Sequence, residues 1–389
     1  MRERTVLPGG KRLMAAEVLS QRALNRALLE RQMLLCRVPA PAPAGRADRV
    51  LATVGQLAGL QAQAPLPPYF GLWSRLADFQ PAELAELITS RRVVRIALMR
   101  GTIHAVSAAD CLAMRPLIQP VLDRGLRTNF GRQLAGVDLA SLAAAGRELV
   151  DAAPLTFGEI GTRLAERWPA AAPAALAQGV RAKVPLVQVP PRGIWGKSAA
   201  SRHTSAEAWL GEPLDRRATP DWLVRRYLAA FGPATARDAQ VWSGLAGLVE
   251  VTERLRPGLR TFRDEHGREL FDLPEAPRPD PATPAPVRLI AEFDNLVLSH
   301  ADRSRVISDD DRKKLFSRQN VFPGTVLVDG FAAGMWRLSR AARAATVTVE
   351  LFRPVNRRDR EAIAEEGERL LSFAAAGAAG HDIKIVNLS

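Results

Sequence analysis

Apolar positions recur every three to four residues over 16–34 and again over 46–60, the spacing that turns one stripe of a helix toward a core. The proline-rich stretch VPAPAPAG at 38–45 separates the two. The same period continues through PAELAELITSRR (81–92) and AADCLAMRPLIQPVLDRGL (108–126), so the first third of the chain reads as mainly helical. A second unit opens at PLTFGEIGTRLAERW, where Thr156 is placed as an N-cap and Glu159, three residues on, as its reciprocal partner. A third unit, WLVRRYLAAFGPATARDAQVWSGL, ends one helix at Phe231-Gly232-Pro233 and caps the next with Thr235 and Asp238. Helix, short glycine-bearing turn and capped helix is helix-turn-helix grammar. Beyond a proline-rich linker at 274–287, TVLVDGFAAGMWRL sets Asp329-Gly330 between two apolar strands, a hairpin signal. A last helix, DREAIAEEGERLLSFAAAG, closes a small α+β unit.

Composition narrows the class. A chain of 389 residues is too long for one ordinary core, and 47% hydrophobic with 24% charged residues is a soluble globular balance. No apolar run approaches the roughly 18 residues that cross a membrane. The N-terminal MRERTVLPGGKRLMAAEVLS is basic but lacks an apolar signal core, so a cytoplasmic rather than exported protein is expected. Cys36 and Cys111 form no CxxC pair and read as core residues, and the five histidines lie far apart. Neither a metal nor a cofactor is expected.

Charge points to a partner. Fifty-four Lys plus Arg against 41 Asp plus Glu give +13, carried mostly by arginine, whose planar fork suits phosphate. A coding bias toward Arg, Ala and Pro accounts for part of the composition but not for local clustering. The segment RAKVPLVQVPPRGIWGKSAASRHTS (181–205) has no acid and reads as a basic β-hairpin with Trp195 at its tip. Arg192, Trp195, Lys197, Arg202 and His203 are its candidate DNA contacts. The alternative is a solvated loop whose tryptophan folds back onto the core.

The stretch GLQAQAPLPPYFGLWSRL (59–76) carries the candidate chemistry. Gln61 and Gln63 share a face only if the segment is extended, and two amides on one face can hold a water or a polar edge. Neither ionises, so neither is a strong base. Together with VVRIALMRGTIHAVSAADCLAMRP, RYLAAFGPATARDAQVWSGL and AEFDNLVLSHADRSRVI, in that order, this block resembles the AlkZ-like winged-helix DNA glycosylases. The likeness runs from about residue 16 to the C-terminus. It implies tandem winged-helix motifs forming a C-shaped DNA channel, mainly α with β, plus a small β-rich C-terminal domain. It implies the division 1–15 flexible, 16–126, 127–215 and 216–273 winged-helix units, 274–287 linker, and 288–389 C-terminal α+β domain. Gln61-Ala62-Gln63 matches the family's Gln-x-Gln branch, which implies catalysis by Gln61 and Gln63. It also implies a monomeric enzyme acting on double-stranded DNA that carries bulky N7-alkylguanine adducts or interstrand crosslinks. The biological setting implied is self-resistance in a producer of a DNA-alkylating compound.

The chemistry fits two amides. Alkylation at guanine N7 makes the base a cationic leaving group, and an oxocarbenium-like transition state needs a positioned water more than a strong base. The block offers no lysine for a Schiff base, so a monofunctional enzyme is expected. Arg100 and His104 are further candidates for phosphate contact, with a backbone-bonded structural histidine the alternative for His104. Asp294, Asp302 and Arg303 read as a structural ion-pair group, with Asp294 the reserve carboxylate. Two other classes share the basic charge and helix-turn-helix units: a non-enzymatic DNA-binding regulator and a protein that sequesters the free alkylating agent.

Overall fold

The computed structural model describes residues 17–316, 323–341 and 344–388. The stretch 1–15, expected to be flexible, lies outside them. Fourteen α-helices and three β-sheets are present among the described residues, an α+β architecture. One buried apolar cluster runs from Leu28 to Ala374 through all the helical units, with a small satellite of Leu19, Leu24, Phe262 and Leu270.

The capping signals form as read. Thr156 donates its N–H to Glu159 at 2.7 Å while Glu159 N–H donates to the Thr156 hydroxyl at 3.2 Å, opening the helix Phe157–Ala165. Thr235 and Asp238 repeat the exchange at 2.9 and 3.1 Å ahead of Ala236–Ser243. Each reciprocal pair satisfies N–H groups that the first helical turn leaves without partners.

A five-stranded antiparallel sheet carries the centre of the molecule. Its order is Leu60–Gln61, Ile103–Ser107, Val93–Ala97, Leu186–Gln188, His203–Ser205. Strands near residue 60 and near residue 205 therefore share one sheet, and the helix Ala108–Phe130 runs through the boundary expected at 126.

The C-terminal sheet is ordered Gly380–Asn387, Ala344–Leu351, Phe331–Arg340, Gly324–Val328, Arg288–Ile290. Its first two strands are parallel, and the helix Arg357–Ala374 makes the crossover between them. The Asp329-Gly330 turn joins Gly324–Val328 to Phe331–Arg340 with φ of 47° and 81°, the positive pair of a tight hairpin. The turn presses onto the helix Gln21–Arg31, where Arg22 pairs with Asp329 at 2.5 Å and Arg26 also reaches the same carboxylate.

The proline-rich linker at 274–287 is a fastened strap, because the same helix grips it. Arg22, Arg26 and Arg31 donate to the carbonyls of Pro281, Thr283 and Pro277 at 2.7, 2.6 and 3.1 Å. The prolines of the strap supply no N–H donors for a regular ladder, so its carbonyls take arginine forks as partners. Arg31 also forms two bonds of 2.7 and 2.8 Å with Asp272, and neither side chain reaches solvent. Asp272→Ala would leave the buried Arg31 charge without its carboxylate. Urea unfolding should then show a loss of about 3–5 kcal/mol, and a loss under about 1 kcal/mol would mean the pair behaves as an exposed one.

Candidate active site

The helix Arg46–Gln56 ends in a turn whose Ala58 and Gly59 both have positive φ. Gly59 sits so close to the neighbouring strand that an added Cβ would lie 2.6 Å from Val106 Cγ1. Only glycine turns the chain here into the sheet without a clash. Leu60–Gln61 then pairs with Ile103–Ser107, Gln61 directly opposite His104, and Ala62 N–H donates to Ile103 O at 2.7 Å. The chain is thus extended through Gln61 and Ala62 and bends at Gln63.

The two amides differ in environment. Gln61 is buried, and its Oε1 accepts a bond of 2.8 Å from Arg100 Nη2. Gln63 is exposed, and its Oε1 accepts from the Ile103 N–H at 3.3 Å. Each amide oxygen keeps a second lone pair. Between them, the Ala62 carbonyl accepts from Arg95 Nη2 at 2.8 Å. One guanidinium therefore holds the first glutamine and another holds the peptide that separates the pair.

Arg100 is itself fixed from three sides. Its Nη1 donates to Trp242 O at 2.8 Å, its Nη2 also reaches Asn295 Oδ1 at 3.1 Å, and its backbone is left-handed with φ 57°. A non-glycine residue in that region carries strain that the surroundings must impose. Asn295 donates in turn to Gly59 O at 3.4 Å. It heads the 3-10 turn Asn295–Val297, which Asp294 caps by accepting from Leu296 N–H at 2.9 Å. Asp294 is clamped by Arg75 through bonds of 2.8 and 2.9 Å, both side chains buried. Asp294 is thus an ion-pair residue, but its partner is Arg75 rather than Arg303. Asp302 pairs instead with Arg268, and Arg303 donates to His300 O.

Electrostatically the site is positive. Neither Arg95 nor Arg100 makes an ion pair among the described residues. Burial brings both down to about 10, helped by Arg192 beside Arg95 and Arg303 near Arg100, so both remain charged at neutral pH. No group of three or more His, Cys, Asp and Glu residues among the described residues is arranged to hold a metal ion. No helix among them is long and apolar enough to cross a membrane.

Several expected DNA contacts point elsewhere. His104 is fully enclosed: burial, then Arg100, pushes its imidazole down to about 3, and its Nδ1 lies 3.1 Å from Thr102 O. His203 is likewise buried, stacked on Phe157 at 4.1 Å and pushed down to about 4 by burial. Both are neutral internal residues. Leu186–Gln188 and His203–Ser205 do pair antiparallel, but Trp195 is not at a projecting tip. It is half-buried against Tyr69, Phe70 and Phe373, with centroids 5.1, 5.8 and 5.3 Å away. Tyr69 hydroxyl pins the loop by donating to Gly193 O at 2.8 Å and accepting from Trp195 N–H at 3.1 Å. An indole gains more from aromatic burial than from water, so the loop folds inward.

Lys197 stays exposed, Arg192 is half-buried, and exposed Arg202 pairs with Glu159 at 3.0 Å. Surface pairs of this kind contribute only about 0–1 kcal/mol, so a phosphate can displace Glu159. Cys111 is buried, whereas Cys36 is exposed rather than in the core. Sequence reasoning missed Arg95, Asn295 and Arg75. A charged residue at the centre of the apolar run VVRIA was the visible signal for Arg95.

A family model described as "DNA glycosylase AlkZ-like" matches residues 54–373. Among solved structures, the DNA glycosylase AlkZ of Streptomyces sahachiroi aligns with a TM-score of 0.75 at 20% sequence identity. That alignment covers 95% of this chain and 100% of the other. No curated protein matches by sequence.

The buried histidines give the fold an acid limit. His203 is depressed when folded and ordinary, near 6.5, when unfolded, so only the unfolded chain takes up its proton in between. Its contribution is complete above about pH 6.5 and is lost as pH falls toward about 4. Between pH 7 and 5 that amounts to about 2 kcal/mol for this residue. His203→Gln should flatten the pH dependence of urea stability by about that amount, and an unchanged slope would contradict the assignment.

Proposed function

The chain belongs to the AlkZ-like DNA glycosylase family, and from that premise we propose that it is a monofunctional enzyme hydrolysing the N-glycosidic bond of N7-alkylated guanine. Its substrates include bulky adducts and interstrand crosslinks in double-stranded DNA, and its biological role is self-resistance to a DNA-alkylating compound. It acts as a monomer in the bacterial cytoplasm. The observation that carries the reading is the Gln61-Ala62-Gln63 segment, fixed by Arg100 and Arg95 and free of any carboxylate contact among the described residues.

In this reading the glutamines orient water. The cationic base leaves readily, and the sugar passes through an oxocarbenium-like state. Gln63, exposed at the surface, offers its amide to a water, and Gln61 behind it fixes the position of the segment. Holding a nucleophile in line supplies rate enhancement without a base of matched pKa. Arg95 and Arg100 supply positive potential without an internal acid, which favours the phosphates flanking a lesion. The regulator and sequestering readings leave this fixed pair of amides without a role.

Gln63→Ala should lower single-turnover excision of N7-methylguanine by about 100-fold or more. Gln61→Ala should do likewise, in part by releasing Arg100. Both variants should fold and bind undamaged duplex like the parent, and parental excision rates in both would contradict the assignment. The product, an abasic site cleaved by hot alkali, separates the enzyme from a regulator, which prefers a sequence, and from a sequestering protein, which binds the agent without DNA.

Undamaged-duplex affinity should fall steeply with salt, each phosphate contact adding about 0.9 to the log–log slope. Replacing Arg192, Lys197 and Arg202 together by Ala should lower that slope by up to about three without creating sequence preference. An unchanged slope would remove the segment 181–205 from the DNA interface.

A further inference from the structure

A cleft of about 350 Å³ opens beside the glutamine segment, within the size range of small-molecule sites. Its near wall is the chain that follows Gln63 directly, Ala64 and Pro65. Phe70, Trp336 and Leu338 supply apolar lining, Trp336 and Leu338 from the C-terminal sheet. Trp336 is fixed by donating its indole N–H to Ile290 O at 2.8 Å, and it meets Phe70 edge-on at 5.7 Å. The aromatic walls are therefore set in place before anything enters.

One carboxyl stands in this lining. Glu292 has no hydrogen-bond or ion-pair partner among the described residues, although most carboxylates of this arginine-rich chain have one. Arg340 also lines the cleft, but it donates to Ala374 O at 2.7 Å and lies over the Trp195 ring. Glu292 is exposed at the cleft rather than enclosed, and partial burial pushes its carboxyl above the ordinary carboxylate range. A cation brought into the cleft would meet this carboxylate without displacing an existing partner. Phe293, with φ 59°, and the clamped Asp294 follow it, so Glu292 is presented on a fixed turn.

We propose that, for monoadducts, this cleft receives the extruded alkylated base and that the Glu292 carboxylate selects bases that carry positive charge. The proposal rests on the glycosylase reading above. Enzymes that act on a base unstack it and seat it between aromatic and apolar side chains, which is what Phe70, Trp336 and Leu338 offer. Because the wall begins at the residue after Gln63, a base in the cleft keeps its sugar close to the glutamine segment. A neutral base of the same shape gains the stacking but not the charge pairing, and an ordinary guanine is discriminated against on that account.

The test uses two duplexes that the enzyme cannot cleave and that differ in one charge. One holds 2′-fluoro-N7-methylguanine, which is cationic, and the other holds 2′-fluoro-7-methyl-7-deazaguanine, its neutral counterpart. The wild-type protein should bind the cationic duplex about tenfold more tightly. Glu292→Gln should abolish that preference while leaving affinity for unmodified duplex unchanged. Leu338→Trp, which fills the cleft, should bring both modified duplexes to the affinity of unmodified DNA. A Glu292→Gln variant that keeps the parental preference, or a Leu338→Trp variant that still excises N7-methylguanine at the parental rate, would overturn the proposal. Excision of N7-methylguanine by the wild-type protein is scored separately: its absence refutes the glycosylase reading, whereas its presence with unaffected variants refutes only the cleft.

Discussion

The buried pair of Arg75 and Asp294 is the contact on which the site's geometry depends. Asp294 accepts both guanidinium bonds and caps the turn that presents Asn295. Asn295 then meets Arg100, and Arg100 meets Gln61. Four links thus join the turn that follows the helix Pro67–Trp73, through a second turn contributed from residues near 294, back to the glutamine segment itself. Charge buried at this depth is costly unless it is paired, so the bidentate contact of Arg75 with Asp294 restricts the geometry, and the side chains it positions inherit that restriction.

This dependence explains why so much of the chain is needed around so small a motif. The glutamine segment is an edge strand, with a neighbour on one side only. An isolated edge strand offers loose register and free backbone groups. Arg95 on the Ala62 carbonyl, Arg100 on Gln61 and the glycine turn at Gly59 replace the missing neighbour. The cost is two guanidiniums, Arg95 buried and Arg100 half-buried, that have no acid partner among the described residues. In a protein that meets DNA, that positive potential is useful, because phosphates supply the missing anions.

Local features were legible in the sequence because their causes are local. Thr156 with Glu159, Thr235 with Asp238, and the Asp329-Gly330 turn act over three residues or fewer, and all three formed as read. The extended backbone at Gln61 was legible from the spacing beside the proline run, whereas the bend at Gln63 was not. Partners distant in the chain were not. Arg75 and Asp294 stand 219 residues apart, and nothing in either neighbourhood names the other. The direction of Trp195 was equally hidden, since a tryptophan between glycines reads the same whether it faces DNA or Phe373. Acid-free charge marked a surface correctly in Lys197 but not in His203, whose burial depends on the tertiary contact with Phe157.

The central claim is that fixed amides, rather than an ionised base, place the water that attacks the sugar. A crystal structure of the protein on a duplex carrying 2′-fluoro-N7-methylguanine tests it most directly. The account predicts a water within hydrogen-bond reach of the Gln63 or Gln61 amide oxygen and facing the C1′ atom of the modified nucleotide, with Arg100 still on Gln61. A C1′ atom remote from both glutamines, or an attacking water held by a carboxylate instead, would contradict it.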